Sequence, residues 1–267
     1  MIQPGAIQKK ANAIGVRDQQ IEKDYILSWI LLGISKHKQL SNAIVFKGGT
    51  VLKKVYFENY RFSEDLDFTL VNTELNNEQI INYFREMFDF VRVEANIILT
   101  LLEKQVHQDG SLNFHIGYIG PLGGQGTNKK VKVDISYNEL LVYKPVLMDV
   151  FISYTDIESY QILCYTLEEV LLEKMRSVIQ RMQARDFYDI WYLLAMHGMG
   201  KHFNIADFEM KCKHKKIVHT HFAIKISERL PQYKARWTGS LSEQIKELPN
   251  FENVARTVQR QIKQMSL

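Results

Sequence analysis

From Arg61 to Leu70 the chain reads RFSEDLDFTL, with polar and apolar residues alternating at period two. Leu66, Phe68 and Leu70 fall on one face of the strand this pattern predicts, Asp65 and Asp67 on the other. On a strand rising ~3.3 Å per residue, residues i and i+2 stand about 6.7 Å apart on the same face. Two carboxylates so placed repel each other unless a cation intervenes. Hard oxygen donors of this kind suit Mg²⁺. A solvent-facing acidic strand edge would carry the same tripeptide, so the pair needs further residues around it to mark a site.

Those residues lie on either side. Upstream, Ala43 to Phe46 reads as a short strand stopped by Gly48-Gly49, with Thr50 opening a helix through Tyr56. A strand, a double glycine and a helix form a turn that brings backbone N–H groups toward an anion. Downstream, in Val131-Lys132-Val133-Asp134-Ile135, alternation sets Asp134 opposite three apolar residues. If the two acidic strands are neighbours, three carboxylates meet on one sheet face. That is a ligand set for two metals ~3.5–4 Å apart, which orient an in-line phosphoryl displacement. The double glycine would then hold the phosphates of a nucleotide.

The rest of the chain supplies the frame. At 267 residues with 46% hydrophobic and 24% charged, it can bury a sizeable core without disulfides. Cys164 and Cys212 lie far apart and form no CxxC pair, which argues against zinc and fits a reducing compartment. The longest apolar stretch, Tyr25 to Ile34, is too short to span a bilayer, and the N-terminus has no apolar run of signal-peptide length. The expectation is a cytoplasmic protein with no membrane partner. Residues 18–36 read as an amphipathic helix on Ile21, Tyr25, Trp29 and Leu32, and residues 78–90 as a helix. Strands are expected at 112–119, 131–135 and 146–154, with a glycine-rich linker at 121–128. From Thr166 onward the pattern is helical. The fold class is therefore α+β, a mixed-sheet core over 1–160 followed by a helical region over 161–267.

Charge divides the same way. From Lys201 to Leu267 there are 13 Lys and Arg against 6 Asp and Glu, a net +7, which leaves the first 200 residues slightly acidic. A polyanion partner would use such a basic part, and a solvated face would look alike. The run Lys211-Cys212-Lys213-His214-Lys215-Lys216 is open to the same two readings. Thr166 and Glu169 spell a capping box, and Leu167, Leu171, Met175, Val178 and Met182 the apolar stripe of the helix it opens. Lys174, Arg181 and Arg185 fall along one margin of that stripe, either snorkelling or leaning toward an anion. Tyr188, Trp191 and Tyr192 read as core. There is no HExxH, no P-loop and no dinucleotide fingerprint.

FKGGT at 46–50 and RFSEDLDF at 61–68 together resemble the opening of the DNA polymerase β-like nucleotidyltransferase superfamily. More narrowly they resemble its AbiEii branch, toxins of abortive-infection and type IV toxin–antitoxin systems. Glu22-Lys23-Asp24 matches that branch's upstream helix motif. Glu173-Lys174, Arg181 and Arg185-Asp186-Phe187-Tyr188-Asp189 match its later element. The likeness covers roughly residues 20 to 195. The fifteen residues between Gly49 and Asp65 are a departure from the general superfamily pattern, being slightly longer. The resemblance implies a nucleotidyltransferase moving an NMP from an NTP, bound between the two parts of the chain, to an acceptor hydroxyl. The acceptor would be RNA, such as the 3′ end of tRNA, or else a protein hydroxyl, and a cognate antitoxin would hold the toxin in check. Asp65, Asp67 and Asp134 would hold Mg²⁺, or Mn²⁺ in its place. Lys47, Gly48, Gly49, Thr50 and Ser63 would line the nucleotide, and Lys174 and Arg181 its phosphate tail. Asp186 would orient those cations or take part in proton transfer. A catalytically silent nucleotide- or RNA-binding module with the same fold is the alternative.

Overall fold

The protein is described by a computed structural model, which places every residue except Gln125, Thr127, Asn128 and Ser266. The chain divides into two compact units, Met1–Glu139 with Pro145–Tyr165, and Leu140–Lys144 with Thr166–Leu267.

The first unit is built on a seven-stranded mixed sheet. Three helices come first, α1 (Pro4–Ile14), α2 (Asp18–Lys36) and α3 (Lys38–Ala43), then β1 (Ile44–Lys47). A single α-helical turn, α4 (Gly48–Val51), runs into a wider π-turn over Leu52–Tyr56. Phe57 closes that turn by donating its N–H to the Leu52 carbonyl at 2.8 Å. Next come β2 (Asp65–Leu70), α5 (Asn77–Ala95), β3 (Ile98–Val106), β4 (Leu112–Ile119), β5 (Lys130–Ser136), β6 (Val146–Asp149) and β7 (Gln161–Cys164). The spatial order is β3-β4-β5-β2-β1-β7-β6. β2 pairs with β5 and β1 with β7 in parallel, and the other pairs are antiparallel.

Period two decides which face of the sheet is dry. Leu66 and Phe68 on β2, Val133 and Ile135 on β5, and Phe114 on β4 are all buried. Helix α5 buries Ile80, Ile81, Phe84 and Met87, with Phe84 edge-on to Phe114 at 5.0 Å and Met87 against Gly33 of α2. Helix α2 spans the expected 18–36 but is not amphipathic. Ile26, Leu27, Ile30 and Leu31 are as buried as Ile21 and Tyr25, as befits an interior helix apolar on nearly all sides.

The strand expected over 146–154 stops at Asp149, and β3 and β7 were not foreseen. The glycine-rich linker at 121–128 falls partly on Gln125, Thr127 and Asn128, outside the described residues.

The second unit holds α6 (Leu167–Gln180), α7 (Ala184–Trp191), α8 (Ile205–His214), α9 (Phe222–Leu241) and α10 (Phe251–Gln264). Its core is aromatic: Phe187 stacks on Tyr233 at 4.8 Å, and Trp237 meets Phe251 edge-on at 5.3 Å. Tyr188 joins that core, while Trp191 and Tyr192 are half-buried. Helix α6 ends before Met182, which is exposed, and Val170, Leu172 and Ile179 share its buried side.

The capping box forms by halves. The Thr166 hydroxyl oxygen accepts from the Glu169 N–H at 3.3 Å, but the Glu169 carboxylate turns elsewhere. It accepts the N–H groups of Val142 and Tyr143 at 3.0 and 2.8 Å and is ion-paired with the fully buried Lys211. Lys211 also donates to the Leu140 carbonyl. Tertiary partners outcompete the local cap here, and they fasten the five-residue segment 140–144 to the helices.

No helix among the described residues is long and apolar enough to cross a membrane.

Candidate active site

Sheet register assembles the polar face. Lys47 on β1 pairs with Asp67 on β2, and Asp67 pairs in turn with Asp134 on β5. Asp65 lies opposite Lys132 in the next row. All three acids therefore share one face, with lysines interleaved. Lys132 donates to Asp134 Oδ2 at 2.6 Å. Lys47 is buried; its ammonium donates to Ser136 Oγ at 3.2 Å and lies 4.0 Å from Glu139 Oε1.

The glycine turn is fitted to this face. Gly48 has φ +80°, a left-handed conformation that L side chains rarely adopt, and Asp67 occupies the space a β-carbon there would need. Beside it, the buried Arg61 guanidinium and the Ser63 hydroxyl pack against Gly49, at 2.7 and 3.4 Å from where its β-carbon would stand. The Thr50 hydroxyl donates to the Asp65 carbonyl, tying the helix after the turn to the start of the acidic strand. The glycine turn and the Asp67 carboxylate are thus packed against each other, and the Thr50 hydrogen bond ties the turn to the acidic strand.

Among the described residues no group of three or more His, Cys, Asp or Glu is gathered tightly enough to hold a metal ion as placed. The donor chemistry nonetheless suits a hard divalent cation, because three half-exposed carboxylates share one face and two of them are in direct register.

The Glu22-Lys23-Asp24 motif is a clamp whose parts reach three different segments. Glu22, wholly buried, accepts the Leu122 N–H at 2.8 Å and pairs with Lys129 at 3.0 Å. Lys23 pairs with Glu64, the residue before Asp65, at 3.0 Å. Asp24 meets Lys54 and the Tyr154 hydroxyl, both at 2.8 Å. Burial alone would raise the Asp24 carboxyl, but Lys54 and Tyr154 hold it below the usual carboxylate range. One helix turn thereby holds Leu122 and Lys129, Glu64 just before the acidic strand, and Lys54 in the turn behind the glycines. None of those partners is near in sequence, so the motif alone does not disclose this task.

In the second unit Lys174 does not lean toward solvent. It is buried, donating to Asp186 Oδ1 at 2.8 Å and lying 2.7 Å from Asp189 Oδ2. Arg181, just past the end of α6, reaches back to Asp186 Oδ2 at 2.8 Å while its side chain stays 61% exposed. Burial pushes the Asp186 carboxyl up, but Lys174 and Arg181 outweigh it and hold the group below its ordinary value. Asp189 is a full member of this cluster that was not among the expected site residues. The basic run at 211–216 also changes: Lys211 is an interior residue paired with Glu169, while Lys213, His214, Lys215 and Lys216 have surface exposure.

Residues 29–259 match the family described as nucleotidyl transferase AbiEii toxin, type IV TA system. Among solved structures, MenT4, a nucleotidyltransferase toxin from Mycobacterium tuberculosis H37Rv, superposes with a TM-score of 0.70 at 15% identity, over 100% of this chain and 90% of that one. JHP933 from Helicobacter pylori superposes with a TM-score of 0.65 at 17% identity, over 94% of this chain and 93% of that one. At these identities the likeness to both structures is one of fold. No curated protein matches.

Proposed function

The chain belongs to the AbiEii family of nucleotidyltransferase toxins of type IV toxin–antitoxin systems, and from that premise we propose that it moves an NMP from an NTP to an RNA hydroxyl, such as the 3′ end of tRNA, in a Mg²⁺-dependent reaction. The observation that carries this reading is the Asp67–Asp134 register beside a glycine turn whose packing leaves no room for a side chain.

Asp65, Asp67 and Asp134 are the residues that would hold Mg²⁺ or Mn²⁺. Such an ion, when bound, screens the phosphate charge and favours the ionised acceptor oxygen. The amides of Gly48 and Gly49 would take a phosphate oxygen, with Lys47, Thr50 and Ser63 fixing the turn that presents them. The acceptor oxygen forms a bond to the α-phosphorus as the bond to the bridging oxygen breaks, and pyrophosphate leaves with that electron pair. The acceptor's proton passes to Asp134. Lys174 and Arg181 are proposed for the phosphate tail, and Arg181 is the more exposed of the two cations. Asp186 orients both. A toxin of this kind requires a cognate antitoxin.

Incubation with each labelled NTP, Mg²⁺ and total RNA tests the proposal. Label should enter RNA with the wild type and not with Asp67→Asn. Label entering protein would move the acceptor to a protein hydroxyl. No transfer with any NTP would leave the binding-module reading.

A further inference from the structure

Lys132 occupies an unusual place on the carboxylate face. It stands opposite Asp65 across the β2–β5 ladder, two residues from Asp134 on its own strand, with His115 facing it from β4. Its ammonium is 2.6 Å from Asp134 Oδ2, and the two side chains are 41% and 31% exposed. Three carboxylates on one face should repel one another, and a lysine of the same sheet already relieves part of that repulsion. A lysine there also has a cost for any incoming cation. It occupies one oxygen of a candidate ligand, and its charge opposes a second positive charge nearby.

We propose that Lys132 is a positioning residue, the resident counter-ion of the acidic face, which a divalent cation must displace from Asp134. This rests on the assignment of Asp65, Asp67 and Asp134 to the metal. The displaced ammonium keeps its charge and needs a new anion, and the phosphates of an NTP supply one. Metal and nucleotide therefore strengthen each other's binding through this residue, and by linkage the effect is reciprocal. Bare cation alone binds poorly, and cation with nucleotide binds well.

Mn²⁺ titrations of the full chain, read from the electron-paramagnetic-resonance signal of the free ion, test this. They are run with and without a nucleotide analogue whose α,β-bridge cannot be cleaved. Without nucleotide, Lys132→Met and Lys132→Gln should each bind Mn²⁺ roughly three- to tenfold more tightly than the wild type. With nucleotide that advantage should shrink or reverse. Asp67→Asn should bind less tightly than the wild type in both conditions. If the two Lys132 variants bind Mn²⁺ no more tightly while Asp67→Asn binds less, the counter-ion role is wrong and the metal assignment stands. If Asp67→Asn binds as the wild type does, the metal assignment fails and the proposal fails with it. A lower melting temperature in the Lys132 variants with unchanged Mn²⁺ affinity would make the lysine structural only, which also overturns the proposal.

Discussion

A β-carbon on Gly48 would fall 2.2 Å from Oδ2 of Asp67. The glycine turn and the acidic strand are therefore one packed object, because β1 and β2 pair through Lys47 and Asp67 immediately beside them. Gly48 meets two demands at once, a left-handed backbone at φ +80° and room for a carboxylate.

Gly48→Ala should therefore do two kinds of damage. The backbone penalty is about 1–2 kcal/mol, and displacement of Asp67 should abolish label transfer. Gly198→Ala is the control, since Gly198 also has positive φ but nothing lies within 4 Å of its added β-carbon. It should lose comparable stability in urea and keep its transfer activity. Equal activity in the two variants would mean that the Gly48–Asp67 contact is irrelevant to the chemistry.

Glu169 and Lys211 form a buried ion pair, at 0% and 1% side-chain exposure. Breaking such a pair from one side leaves an uncompensated charge in the interior, at a cost of about 3–5 kcal/mol. Glu169→Gln and Lys211→Met should each show that loss in denaturant melts. The double variant should recover much of it, because removing both charges together is often close to neutral. Additive losses around the cycle would show that the two residues act separately.

The acid limb of stability should report Asp186. Its folded pKa lies below its unfolded value, since Lys174 and Arg181 outweigh the effect of burial. The stabilisation is then fully present above the unfolded carboxyl's pKa, about 4. It is lost as pH falls through the folded value. Asp186→Asn should be less stable than the wild type at pH 7, and the gap should narrow from about pH 5 downward. Urea melts between pH 3 and 7 measure this. A gap that stays constant over that range would remove Asp186 from the acid limb.

How much of this was legible depended on the distance between partners. The carboxylate face could be read because period two is local: Asp65, Asp67 and Asp134 each sit among alternating apolar residues. Helix α2 kept its expected limits, but a window of residues cannot tell a helix buried on all sides from an amphipathic one. Strand β3 was missed because its exposed second half and a register shift between Leu101 and Lys104 break the alternation. Strand β7 is four residues long, too short to signal. Lys132 lies on the face that was read, yet attention to acids alone passes over the cation between them. Glu169 and Lys211 lie 42 residues apart, so a helix cap and a surface patch were the local readings, and long-range burial overrode both.

The last expectation concerns acceptor binding by the basic surface. With Lys211 internal, Lys213, Lys215 and Lys216 remain to touch a phosphate backbone. Each phosphate contact releases counterions, so the logarithm of affinity should fall linearly with that of salt, by about 0.7 per contact for single strands. Changing these three lysines together to Gln should flatten the slope by roughly two if all three make contact. It should leave the fold intact, because none of the three is fully buried. Lys211→Gln alone should behave in the opposite way, unfolding more easily because it leaves Glu169 unpaired in the interior. RNA titrations of the triple variant and the parent at several salt concentrations, with denaturant melts alongside, separate the two effects. Equal salt slopes would mean that this run is a solvated face, and acceptor phosphates would then have to be sought near the exposed Arg181.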